Sequence, residues 1–255
     1  MSQSASTAES PASVHPPSGD HADSHDEGHH GRPWLAHHFD TPAQQFDAAK
    51  LGMWAFLGQE LLFFSGVFVC YGIFRNWYPA AFSGASHELN RVMGASNTIV
   101  LLFSSWTAAM AVRAAQLGKR SQTTGFLVVT IACAFVFLVV KYFEYQHKFH
   151  LGLLPGKYYG HPTDGGGFFA AITNPEETPH LPYKAHIFFS LYFVMTGIHA
   201  LHVIVGIGVL IWILKRNLNR EFSKEFFTPV DLVALYWHLV DLIWIYLFPL
   251  LYLID

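Results

Sequence analysis

Residues 51–74 read LGMWAFLGQELLFFSGVFVCYGIF, lie between Lys50 and Arg75, and hold one formal charge, Glu60. As a helix rising 1.5 Å per residue this run reaches about 36 Å, and ~20 residues suffice to cross the hydrocarbon of a bilayer. It is a membrane span. Four more blocks follow. VMGASNTIVLLFSSWTAAMAV, residues 92–112, has no Asp, Glu, Lys or Arg, and its Gly94, Ala95, Ser104, Ser105, Ala108 and Ala109 suit close helix packing in lipid. FLVVTIACAFVFLVV, residues 126–140, runs into Lys141 and Glu144. The stretch between Lys184 and Lys215 has no acidic or basic residue other than histidines, and the last block, from about Leu232, contains only Asp241 before the terminal residue. The expected fold class is all-α, a polytopic membrane helix bundle of about five transmembrane helices, with spans at about 50–74, 92–114, 124–146, 186–214 and 231–254.

Composition agrees with lipid as the solvent. The chain is 52% hydrophobic and 13% charged, against roughly 25% charged in soluble domains. A net charge of −3 and a pI near 6.6 supply no basic field, so nucleic acid is not an expected partner. Cys70 and Cys133 both fall inside apolar blocks, where a thiol behaves as a small hydrophobe and no disulfide or thiolate-metal framework arises.

Outside the blocks the chain changes character. Residues 1–45 are rich in Ser, Ala, Pro, Gly, Asp and His, without the apolar period that offsets the entropy of ordering a chain. A disordered tail is expected there, with no signal peptide because no apolar h-region occurs. Its histidines, His15, His21, His25, His29, His30, His37 and His38, are read as part of that polar tail rather than as a metal site. The membrane domain, 46–255, is interrupted by a long loop at 147–185, where Pro155, Pro162, Pro175, Pro179, Pro182 and Gly165 to Gly167 oppose a long helix. Positive residues mark the cytoplasmic side. Nine Lys and Arg fall on the side of the N-terminus and five opposite, which places the N-terminus inside and makes 147–185 an outer loop. No internal repeat of the kind found in alternating-access transporters is present.

An ionisable residue at membrane depth costs ~2.5–3.5 kcal/mol even on insertion scales and is a functional-site hypothesis by default. Glu60 stands ten residues after Lys50 and Asp241 ten after Asp231, so both sit about 15 Å into the bilayer. His238 lies one turn before Asp241, and His199 and His202 form an i,i+3 pair near the middle of the fourth span. Two readings of this layer stay open: it handles protons or holds a ligand, or its members hydrogen-bond one another and lock the helices. No Lys or Arg shares the depth of Glu60, so its expected partners are His199, His202 or a hydroxyl such as Ser65. There is no third His at ligand spacing and no HExxH or HxxHH cluster, so no metal site is expected. Lys141 and Glu144, one turn apart, read as a salt bridge or a snorkelling lysine rather than a channel.

Five segments together resemble one family, subunit III of heme-copper terminal oxidases, chiefly the shorter five-span bacterial form of cytochrome c oxidase: GQELLFFSGVF from Gly58, SNTIVLLFSSWT from Ser96, VKYFEY from Val140, TGIHALHVIVG from Thr196 and YWHLVDLIWIYLF from Tyr236. The resemblance implies a non-catalytic subunit with no heme or copper of its own; those cofactors belong to subunits I and II, which oxidise cytochrome c, reduce O2 to water and move protons. It implies packing against subunit I, bound phospholipid, and support of assembly, proton uptake and resistance to turnover-induced inactivation, within a bacterial cytoplasmic membrane and, where one forms, a respiratory supercomplex. Residue by residue, Glu60 matches the family's carbodiimide-reactive carboxylate. Glu144, His199, His202, His238 and Asp241 match its recurring polar positions, and Arg216 matches a basic residue placed to meet lipid phosphate. Two departures stand out: the two further N-terminal helices of seven-span members do not occur here, and Lys141 stands where the family carries an uncharged residue.

Rival readings are the equivalent subunit of a quinol oxidase or nitric-oxide-reductase-like complex, which spans alone separate poorly, and an autonomous proton channel or transporter. The odd span count and the lack of repeats or of a broken helix pair oppose the latter. A membrane metalloenzyme of the desaturase type requires clustered HxxxH and HxxHH motifs that do not occur.

Overall fold

The computed structural model describes residues 35–36, 39–151, 153 and 184–254. The histidine-rich tail up to residue 34, His37, His38 and most of the 147–185 loop lie outside the described residues. Near the start of the described residues Thr41 Oγ1 accepts from Gln44 N at 3.1 Å as a helix N-cap.

The described residues form six helices: α1 (Pro42–Trp77), α2 (Pro79–Ser86), α3 (Arg91–Gln116), α4 (Arg120–His150), α5 (Ala185–Leu218) and α6 (Thr228–Tyr252). All but α2 are long and apolar enough to cross a membrane. The helices continue past the apolar blocks because polar backbone at a span's end is as well satisfied by another helical turn as by water. Asn90 caps α3 by accepting from Val92 N and Met93 N at 3.0 and 3.1 Å. Pro79 starts α2 at a position where its missing N–H is no loss.

Two of the turns follow one rule. α3 stops in a Schellman motif: Gly118 N donates to Ala115 O, and Lys119 N to Ala114 O, both at 2.9 Å. Gly118 takes φ +70°, and the Lys224 stem lies where a Cβ would stand. α5 ends with the same pair of bonds, from Arg220 N to Asn217 O and Glu221 N to Arg216 O, but here a non-glycine residue, Arg220 at φ 65°, occupies the left-handed position. Such a conformation costs an L-residue ~1–2 kcal/mol.

Within the membrane unit α3 packs on α4 and α6, α5 packs on α4 and α6, and α2 packs on α5. Close approach needs small residues. An added Cβ on Gly206 would meet Trp237 Cζ3 at 2.8 Å, and one on Gly94 would meet Phe248 Cε2 at 2.8 Å. The indole of Trp237 donates to Ser104 Oγ at 2.9 Å, that of Trp244 to Thr98 Oγ1 at 3.1 Å, and Thr107 bonds Thr130 at 2.8 Å. Helix α1 is attached differently. Its buried residues are Leu57, Phe64 and Tyr71, a single stripe at seven-residue spacing, while Trp54, Leu62, Phe63 and Val69 on its other faces are exposed.

These contacts fix which ends of the helices share a side. Lys50, about two turns into α1, pairs with Asp231, in the first turn of α6, at 3.3 Å. The α3–α4 turn touches the α5–α6 loop through Gly118 and Lys224. At the opposite end Ser86 donates to Ile254 O at 3.2 Å, and Lys184 to Tyr78 OH at 3.0 Å.

Gly206→Ala is expected to lower the thermal midpoint of the purified chain, since overpacking costs ~1–3 kcal/mol. Gly208→Ala, two residues away with nothing within 4 Å of an added Cβ, should leave it unchanged or raise it. Melts followed by circular dichroism in one detergent decide the point, and equal effects would show that α5 and α6 have room to separate.

Candidate functional site

The expected residues form separate sites rather than one constellation. The densest lies where α4, α5 and α6 meet. Glu144 is 3% exposed and Lys141 5%, and Lys141 Nζ donates to Glu144 Oε2 at 2.9 Å. The other carboxylate oxygen, Oε1, accepts from Tyr192 OH at 3.0 Å and from Tyr252 OH. Lys141 Nζ also donates to Tyr252 OH at 2.7 Å and lies 4.6 Å from the centre of the Trp244 ring. Of the two sequence readings the salt bridge is realised and snorkelling is not, because the ammonium turns into the bundle. Desolvation of a buried pair is offset only when the remaining donors and acceptors are also met. Two phenols and an indole face supply that here. A cavity of about 360 Å³ lies beside this cluster, lined by His87, Glu88, Glu144, His147 and Lys148 among others.

Glu60 on α1 meets His202 on α5. Oε2 lies 3.0 Å from His202 Nε2, while Nδ1 of the same ring lies 2.8 Å from Ile198 O. Ser65, the candidate hydroxyl partner, donates instead to Leu62 O at 2.7 Å. The pair is packed by Phe64, whose ring centre is 5.1 Å from that of His202, and Tyr236 OH donates to His202 O at 3.1 Å.

The other members of the expected layer do not join them. His199 is fully buried and packs as a ring between Phe137 at 5.6 Å and Trp244 at 5.3 Å. Neither of its nitrogens has a hydrogen-bond partner among the described groups. His238 Nδ1 is bonded to Ser105 Oγ at 2.6 Å. That bond engages the hydroxyl beside Asp241, whose carboxyl oxygens are buried without a partner among the described groups. Asn97 is in the same position. Of the suggested mutual hydrogen bonds, then, only Glu60 to His202 forms. Arg216 donates to Glu221 Oε2 at 2.5 Å and stacks 4.8 Å from the Trp212 ring. Among the described residues no group of three or more His, Cys, Asp or Glu is placed to hold a metal ion.

Several structural ties carried no signal in the sequence. Tyr192 and Tyr252 were not singled out in the sequence, yet both donate to Glu144. Arg120 reads as a boundary charge, yet it donates to the carbonyls of Asn217 and Leu218 at the end of α5. Lys148 reads as a loop cation, yet it is buried and donates to Glu88 O. Only pairing across the bundle reveals them.

Fold and site together define a multi-pass helical membrane protein whose buried ionisable groups serve mainly as interhelical ties. The family model described as cytochrome c oxidase subunit III matches residues 180–255, the stretch that holds TGIHALHVIVG in α5 and YWHLVDLIWIYLF in α6. A probable cytochrome c oxidase subunit 3 of Mycobacterium leprae is 29% identical over 80% of this chain and 87% of its own. The cytochrome c oxidase subunit 3 of Corynebacterium diphtheriae is 29% identical over 81% and 88%. The quinol oxidase subunit 3 of Bacillus subtilis is 29% identical over 80% and 86%. The chain is thus similar, over about four-fifths of its length, to third subunits of heme-copper oxidases. That family is one part of a multi-subunit oxidase complex and carries no redox centre of its own.

Lys141→Met would leave the buried Glu144 with phenol donors alone, a loss expected to cost ~3–5 kcal/mol. Adding Glu144→Gln to Lys141→Met should recover most of it. Thermal midpoints of the three proteins test this, and a double variant no more stable than the single one would show that the lysine acts through packing rather than charge.

Proposed function

We propose that this chain is the non-redox third subunit of a proton-translocating cytochrome c oxidase, seated against the heme-copper subunit I and near the copper subunit II in a bacterial cytoplasmic membrane. It supports assembly, holds phospholipid and sustains proton uptake and turnover lifetime, with Arg216 at the headgroup level. The observation that carries this reading is the coverage of the relatives: more than four-fifths of proteins named cytochrome c oxidase subunit 3 align with this chain, over helices that present no clustered metal ligands among the described residues. The quinol oxidase subunit at the same 29% identity keeps a second electron donor open. Gentle solubilisation of the native complex should yield this chain with a heme-bearing partner and oxygen consumption driven by reduced cytochrome c. Consumption driven by quinol alone would move the assignment to the second donor, and purification without any heme protein would end it.

The proposed orientation puts the N-terminus inside and the C-terminus outside. It is supported by the excess of Lys and Arg on the side of the N-terminus, nine against five, and by the bundle end where Lys224 meets the α3–α4 turn and Arg120 the end of α5. A reporter fused after Asp255 should therefore act outside the cytoplasm and one inserted near Lys119 inside. The reverse result at both sites would invert the assignment.

A further inference from the structure

Helix α1 rests on the bundle by a narrow apolar stripe, and its contact at mid-span is the pair Glu60 and His202. The geometry of His202 counts the protons in that pair. Its Nδ1 lies 2.8 Å from the carbonyl oxygen of Ile198, one turn earlier on α5. A carbonyl oxygen only accepts, so Nδ1 carries a hydrogen. A neutral imidazole has one N–H, which leaves Nε2 as a bare lone pair. That lone pair faces Glu60 Oε2 at 3.0 Å. Two lone pairs at this distance repel, and the contact is a hydrogen bond only if one further proton lies between them. The proton can sit on the carboxyl, which then donates to the ring, or on the ring, which then donates to the carboxylate. Both forms hold one proton and are neutral overall. Turning the ring over exchanges nitrogens for carbons and forfeits both contacts.

We infer that Glu60 and His202 form a single proton-binding site that clasps α1 to α5 only while the shared proton is bound. The neighbouring groups support a neutral unit. From α6, Tyr236 gives its hydroxyl to the His202 carbonyl at 3.1 Å. On α5, His199 is turned into the rings of Phe137 and Trp244. Lys50, ten residues before Glu60 on α1, is paired with Asp231, Lys141 on α4 is paired with Glu144, and His238 is bonded to Ser105. Among the described residues Glu60 has His202 as its one ion-pair partner. Removing the shared proton therefore places an unpaired negative charge in an apolar seam and turns an attraction into a repulsion. The two side chains remain 14% and 19% exposed, so the pair lies at the edge of the seam between α1 and α5 rather than sealed within the bundle. None of this depends on which oxidase the chain serves.

The test uses the full-length chain in proteoliposomes, with ¹³C-carboxyl glutamate and ¹⁵N-histidine read by solid-state NMR at about pH 7. Glu60→Gln assigns the signals by removing the carboxyl and shifting His202. A carboxylic acid with a neutral ring protonated at Nδ1, or a carboxylate with a doubly protonated ring, is the expected pair of signatures. A carboxylate beside a neutral ring, or an acid beside an imidazolium, overturns the one-proton count. The clasp is tested separately by amide hydrogen exchange along α1, corrected for intrinsic rates, from about pH 6 to about pH 10. Opening of the wild-type helix should accelerate by about tenfold or more as the proton is lost, the size expected for a charge-assisted hydrogen bond. In Glu60→Gln the amide donates a hydrogen that does not titrate, so protection should persist across the range. An equal pH response in both proteins overturns the clasp.

Discussion

Hydrocarbon offers no hydrogen bond, so each polar group carried into this bundle has to be met by another part of the same chain. The helix interfaces follow from that. Trp237 and Trp244 are fully buried, each needs an acceptor for its N–H, and each finds a hydroxyl on α3. For Trp237 that reach depends on Gly206, which leaves the ring room against α5. Small residue, bulky indole and short hydroxyl are therefore one device distributed over three helices. The helix ends obey the same condition. Arg120 spans from the start of α4 to the open carbonyls at the end of α5, and Asn217 returns a bond to Thr124 Oγ1 at 2.8 Å.

The spans were legible because a charge in an apolar run stands out, and for the same reason Glu60, Glu144 and Asp241 could be named from the sequence. Depth could also be counted from Lys50 and Asp231. Which groups share a depth is thus available from the sequence, but which of them meet is not. Rotation about each helix axis decides that, and it is set by packing. His199 and His202 are three residues apart on one helix, yet one packs as a ring between aromatics and the other bonds a carboxylate on α1. The eight residues of α2 were missed for a different reason. PAAFSGAS is too short and too weakly patterned to read as a helix until Phe82 is seen against Tyr71 and Phe188, at 5.3 and 5.4 Å. Lys141 was placed at the right end of its span, but its inward turn depends on phenols contributed by two other helices.

The two carboxylates that do find partners show how surroundings divide one chemistry into two. Glu144 takes a full cation and two phenol hydroxyls, all from rigid helices with close backbone contact. Both oxygens are engaged, Oε1 by two hydroxyls and Oε2 by the ammonium, so the group behaves as a fixed charge that holds α4, α5 and α6 in register. Such a pair is costly to break and does little until it is broken. Glu60 takes one imidazole, across a seam whose apolar part is a single stripe of three side chains. Its strength depends on one exchangeable hydrogen. A helix that needs only to stay attached is served by the first arrangement. The second couples attachment to a proton, and it occurs at the span that owes least of its hold to packing.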